Sequence, residues 1–223
     1  MHIEPGVVDG AKILLSHATG AGVGAYTLKL AFDTIRSRGP VSLVFRTVLS
    51  TVAVFSFFEV FPHFPVGVSE VHFILGSTLF LLLGAAPAAI GLALGLLIQG
   101  LFFAPADLPQ YGMNITTLLV PLFVLRMLAR RIIAPDTPYV DLKYRQALAL
   151  SVAYQSGIVA WVSFWAFYGE GLAAWQGIAA FAGAYMMVVL IEPLADLAVL
   201  AAAKAVRGRI GSGFFARRLF AVA

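Results

Sequence analysis

The sequence has no cysteine, which removes disulfides, thiolate nucleophiles and cysteine-based metal sites at once. Any bound metal must be held by nitrogen or oxygen. Charge is also scarce: Asp, Glu, Lys and Arg make up 12% of the 223 residues, against roughly 25% in soluble domains. With 61% of the residues hydrophobic, the chain is expected to be an all-α integral membrane protein, its length taken up by spans of about 20 residues each. No Walker A loop, GxGxxG, HExxH or Ser-His-Asp order is present, so no constellation for catalysis or nucleotide binding is expected, and the protein reads as a non-enzyme. Before Lys12 there is no basic residue, while Glu4 and Asp9 are acidic. Such a start does not read as a secretory leader, and its residues are expected to be retained.

Apolar runs bounded by Pro, Gly or charge predict a single bundle of about seven spans, at 12–35, 43–62, 71–84, 86–104, 114–134, 145–168 and 174–204. One integral domain, 1–223, is expected, with 1–11 tucked into the bundle and 205–223 forming a basic interfacial tail. The connections 63–70, 105–113 and 169–173 contain no Lys or Arg. The others carry Arg36 and Arg38, then Arg126, Arg130, Arg131, Lys143 and Arg145, then Lys204, Arg207, Arg209, Arg217 and Arg218. This asymmetry puts the N-terminus outside and the C-terminus in the cytoplasm, so the protein is a multi-pass protein of the cell inner membrane. Basic residues clustered beside apolar runs are a topology signal, and no nucleic-acid partner is expected.

The first span is the least apolar. It carries Ser16, His17, Thr19 and Lys29, and its Gly20, Gly22 and Gly24 are expected to allow close helix packing. His17 is expected to have a hydrogen-bonded packing role. Glu192 and Asp196, four apart on the last span, share a helix face. Because carboxylates at membrane depth face protein or water, contacts with Lys29, His17 or a partner subunit are expected there, with an ion relay as the alternative.

The chain begins MHIEPG. A terminal amine, the amide of His2 and its imidazole offer three nitrogens in succession. They can close a five- and a six-membered chelate ring and fill three corners of a square. A fourth nitrogen would complete the planar geometry favoured by Cu(II) and Ni(II), with Co(II) also accommodated. Pro5 and Gly6 permit a turn that returns this segment to the bundle.

These residues resemble the CbiM/NikM family, the substrate-binding membrane subunits of energy-coupling factor transporters for cobalt and nickel. Met1, His2, Ile3 and Gly6 match its MHI-x-x-G start. Ser69, His72, Gly76, Gly84, Pro87 and Gln99 fall in a second similar block, and Leu108, Gly112 and Asn114 in a third. The resemblance implies a metal site made from the amine of Met1, the amide and imidazole of His2, and the imidazole of His72. Asn114 would orient the site from behind. The loop GVSEVH departs from the GTSxHxxG of many relatives by one residue, which sets Ser69 and Glu70 beside the site and bears on its hydrogen bonding and metal preference. His63 reads as a wet interfacial histidine, with a ligand on the access path as the alternative. Glu59 and Glu70 are candidates for a negative field at the mouth. The implied function is capture of Co(II) or Ni(II) as transported substrate, with no organic cofactor. The implied partners are a membrane coupling subunit, cytoplasmic ATPases and a small accessory membrane subunit. A non-transporting metal-binding or structural subunit is the competing reading.

Overall fold

A computed structural model describes residues 3–135 and 137–205. Met1, His2 and all but the first residue of the expected 205–223 tail lie outside the described residues. The N-terminal segment leads into α1 (Ile13–Arg38), then α2 (Pro40–Phe55), which runs on into one π-helical turn, Ser56–Val60. A short antiparallel hairpin follows, β1 (Phe64–Val66) and β2 (Ser69–Val71), pairing Phe64 with Val71 and Val66 with Ser69. Then come α3 (Gly76–Leu83), α4 (Ala85–Phe102), α5 (Tyr111–Ile132), α6 (Tyr144–Glu170) and α7 (Trp175–Ala205).

Among the described residues four helical stretches are long and apolar enough to cross a membrane: Pro40–Val60, Ala85–Phe102, Pro105–Ile132 and Tyr144–Ala205, the last comprising α6 and α7. The protein is thus a mostly helical, multi-pass membrane protein. The third expected span, 71–84, is not a continuous helix. Its first residues belong to β2 and an irregular segment, and the eight residues of α3 rise only about 12 Å, well short of a hydrocarbon core of about 30 Å. Two backbone features isolate α3. Leu75 ahead of it adopts a left-handed conformation (φ 52°), and Gly84 after it has φ 93°, open only to glycine without strain.

α1 and α5 run parallel and touch near their N-terminal ends, where a Cβ on Gly20 would sit 3.3 Å from the Cα of Gly112. Further along, Arg126 on α5 donates to the hydroxyl of Tyr26 on α1 at 2.9 Å. The small-residue expectation therefore holds at Gly20 alone: Gly22 and Gly24 face open space. Gly112→Ala would bring its Cβ to 2.7 Å from the Ser16 carbonyl oxygen. It is expected to destabilise the bundle by about 1–3 kcal/mol, as overpacking does. Gly22→Ala on the same helix is expected to be neutral or to gain up to about 1 kcal/mol from helix propensity. Thermal unfolding in one detergent compares the two, and equal losses would sink the contact argument.

Because α1 and α5 are parallel and α6 returns antiparallel to α5, Arg36, Arg38, Arg130, Arg131, Lys143 and Arg145 gather at one end of the bundle. Lys204 joins them, donating to the Val140 carbonyl at 2.7 Å. The N-terminal segment lies at the other end, where Lys12 donates to the Gly169 carbonyl at 2.6 Å.

Candidate metal centre

The N-terminal segment docks as an added strand. Ile3 pairs antiparallel with Ser69 on the free side of β2, and the Glu4 amide donates to the Val68 carbonyl at 3.1 Å. The Ile3 amide donates to Asn114 Oδ1 at 2.8 Å. Ile3 is fully buried, and Val7 and Val8 are buried in the same apolar cluster. Asn114, 1% exposed near the start of α5, therefore grips the backbone of the N-terminal segment at Ile3. Ser69 is buried and forms the rung between that segment and the hairpin.

His72 lies three residues along from that rung, in the irregular stretch between β2 and α3, and is 2% exposed. Its Nδ1 is 3.0 Å from the Phe73 carbonyl oxygen. A carbonyl can only accept, so Nδ1 carries the proton and the lone pair falls on Nε2, the nitrogen suited to a metal. The imidazole packs on Phe58 with ring centroids 4.5 Å apart, which fixes its plane.

The His72 stretch is fastened from below by α7. Glu192, fully buried, accepts hydrogen bonds from the backbone amides of Ile74 and of Leu75, the latter at 2.7 Å. Asp196, one turn on, accepts from the hydroxyls of Ser77 and Thr78. The acidic pair thus caps the N-terminus of α3, where carboxylates complement unpaired amides and the helix dipole. This corrects the expected contacts with Lys29 and His17, both of which are exposed on α1. Exposure also overturns the packing role expected of His17. The sequence showed the two acids as a one-turn pair at membrane depth, but not which segment they hold.

His63 is half-buried ahead of β1, its Nδ1 3.2 Å from the Phe61 carbonyl oxygen. Glu59 accepts from Gln99 Nε2 at 3.3 Å. Glu70 is half-buried on β2, and its charge reaches Glu4. Burial, then Glu70, then Asp107 hold the Glu4 carboxyl above its ordinary range. Glu4, Glu70 and Asp107 thus lie close enough beside the docked segment to feel one another's charge. Among the described residues no three His, Asp or Glu side chains group as a metal site. A site at His72 must draw its remaining donors from elsewhere.

The fold is a polytopic helical bundle in which, among the described residues, one imidazole, that of His72, is buried beside the docked N-terminal segment. The chain belongs to the CbiM family, the cobalt uptake substrate-specific transmembrane region, which matches residues 2–210. Its fold resembles a solved truncated transition metal transporter (TM-score 0.69, 20% identity, covering 90% of this chain and 97% of that one). It also resembles a solved transition metal transporter (TM-score 0.71, 20% identity, 92% and 93%). No protein of curated function matches the sequence. The chain is thus a multi-pass membrane protein of a cobalt uptake family.

Proposed function

We propose that the chain is the substrate-binding subunit of an energy-coupling factor importer for Co(II) or Ni(II). The proposed ligands are the amine of Met1, the amide and imidazole of His2, and Nε2 of His72. The observation that carries this reading is the docking of Ile3 between Asn114 and Ser69, three residues from a buried histidine whose Nδ1 is already committed. Two residues ahead of Ile3 reach at most about 7 Å, so donors on residues 1 and 2 are tethered to the neighbourhood of His72. Nitrogen donors alone, with no cysteine, suit Co(II) and Ni(II).

The proposed topology has seven crossings, with the N-terminus outside. It is supported by the gathering of basic residues at the end opposite the docked segment. The acidic mouth of Glu4, Glu70 and Asp107 would raise the local concentration of divalent cations. With no nucleotide-binding motif, the energy comes from ATPase partners acting through a coupling subunit.

Release requires that a donor leave. The His72 stretch is fixed to α7 by Glu192 and Asp196, whereas residues 3–4 are held by one side-chain bond, a short run of strand pairing and the buried side chain of Ile3. The partner-driven step therefore withdraws the N-terminal segment. Cobalt and nickel accumulation by cells producing the chain with its coupling and ATPase partners tests the reading. His72→Gln is expected to lower it more than about a hundredfold at unchanged membrane abundance, since even outer-shell losses cost 10–100-fold. Unaltered uptake would sink the assignment.

A further inference from the structure

At the basic end of the bundle a cavity of about 570 Å³ opens between the C-terminal halves of α1 and α5, the start of α2, and the α3–α4 break. Among the described residues its lining includes four arginines, Arg38, Arg46, Arg126 and Arg130, against a single carboxylate, Asp33. Arg46 is the unusual member. It is 5% exposed on the first half of α2. Its Nη1 donates to the Leu83 carbonyl at the end of α3 at 2.7 Å, and its Nε to Ser42 at 3.1 Å. Its Nη2 is buried with no hydrogen-bond partner among the described residues.

A buried guanidinium N–H left without an acceptor is costly, so its persistence points to an acceptor supplied from outside the chain. The same cavity meets the first turn of α4. Ala85 and Ala86 line it, and both precede the first hydrogen bond of that helix, from the Ala88 amide to the Gly84 carbonyl. Their amides have no partner within the helix, and the positive end of the α4 dipole faces the cavity. A cation with an unused donor, amides unpaired within the helix and an excess of arginine among the described lining residues all ask for a multivalent oxyanion, for which the guanidinium fork is well shaped.

We infer that this pocket binds the phosphate of an anionic phospholipid headgroup. A lipid is favoured over a free ion by the surroundings. The cavity is larger than one phosphate needs, and Leu30 and Phe80 give it apolar walls. The helices that frame it also show apolar faces, with Phe32 and Ile35 on α1 and Val41 and Phe45 on α2 exposed. An acyl chain leaving the pocket would lie along them. Basic pockets between membrane helices take such headgroups.

The test is made on the full chain in nanodiscs of phosphatidylcholine, with phosphatidylglycerol added as probe and inorganic phosphate in a parallel arm. Retained lipid is measured by native mass spectrometry and thermal stability beside it. Phosphatidylglycerol is expected to be retained selectively and to raise the melting temperature, with inorganic phosphate having little effect. Arg46 also caps α3, so Arg46→Gln can fail by misfolding. The double variant Arg38→Gln/Arg130→Gln alters two exposed residues and is expected to weaken phosphatidylglycerol retention roughly thirtyfold, at about 1 kcal/mol per basic residue. Nickel affinity at the opposite end should be unchanged. Equal retention of phosphatidylcholine, or wild-type retention by the double variant, would overturn the site. Stabilisation by inorganic phosphate alone would overturn the lipid as occupant. Intact lipid binding with lost association of the coupling subunit would assign these arginines to a partner's carboxylates instead.

Discussion

A chain whose terminal amine is acetylated is expected to lose Co(II) and Ni(II) binding while folding normally. Acetylation keeps His2, Ile3 and every described contact of the docked strand, but it turns the amine into an amide, which offers no lone pair to a metal unless it loses its proton, and so the five-membered chelate ring is lost. Four-donor metal sites carry apparent binding free energies of about 10–16 kcal/mol, so losing one donor and its ring is expected to cost roughly 3–4 kcal/mol, about 150- to 900-fold in affinity. Competitive titration against a chelator measures it. The wild type should bind one metal ion, more weakly as pH falls, because protons compete for the same nitrogens. Equal affinity in both proteins would move the metal to His72 with His63 and Glu70, and remove the N-terminus from the site.

Replacing Glu192 should hurt twice. In Glu192→Ala the Ile74 and Leu75 amides, now bonded to a buried carboxylate, are left without an acceptor, at about 1–3 kcal/mol each. Leu75 also loses the contact that holds its left-handed backbone, a conformation that costs roughly 1–3 kcal/mol on its own. A total loss of roughly 3–5 kcal/mol is expected in thermal or denaturant unfolding, and Glu192→Gln, which keeps one acceptor oxygen, should lose less. Because His72 lies two residues before Ile74, nickel affinity should fall alongside stability, and amide exchange at Ile74 and Leu75 should accelerate. A variant that melts early but binds nickel like the wild type would confine Glu192 to a structural role. One that melts like the wild type would contradict the contact itself.

Most of the helices were legible in the sequence because apolar runs of 18 residues or more between charged or Pro/Gly boundaries leave little choice in a chain so poor in charge. The third run misled for a physical reason. An apolar stretch of a dozen residues reads alike as strand, loop or helix, and 71–84 is all three in turn. The hairpin was hidden because HFPVGVSEV has a proline in one strand and offers three residues to each. The docking of Ile3 onto Ser69 joins residues 66 apart in the chain, and no local pattern encodes such a partner. His72 stood out as a lone imidazole beside a serine-containing loop, and Asn114 through its block. Glu192 and Asp196 were visible as a pair, but their partners depend on how α3 meets α7. Arg46 escaped notice because one arginine in an apolar run looks like a boundary fluctuation until its unused N–H is found buried.

The added strand at the N-terminus sets a timescale as well as a geometry. Residues 3–4 are fixed by a handful of backbone bonds, one asparagine and the single buried side chain of Ile3, while the helices beneath contribute many side chains each to a continuous apolar core. Local opening free energies in such a structure differ widely between the two. The segment can peel off and re-anneal many times for each opening of the bundle. The lifetime of a captured ion would then follow the off-rate of one short strand, a quantity that a partner subunit can alter by competing for a single sheet edge.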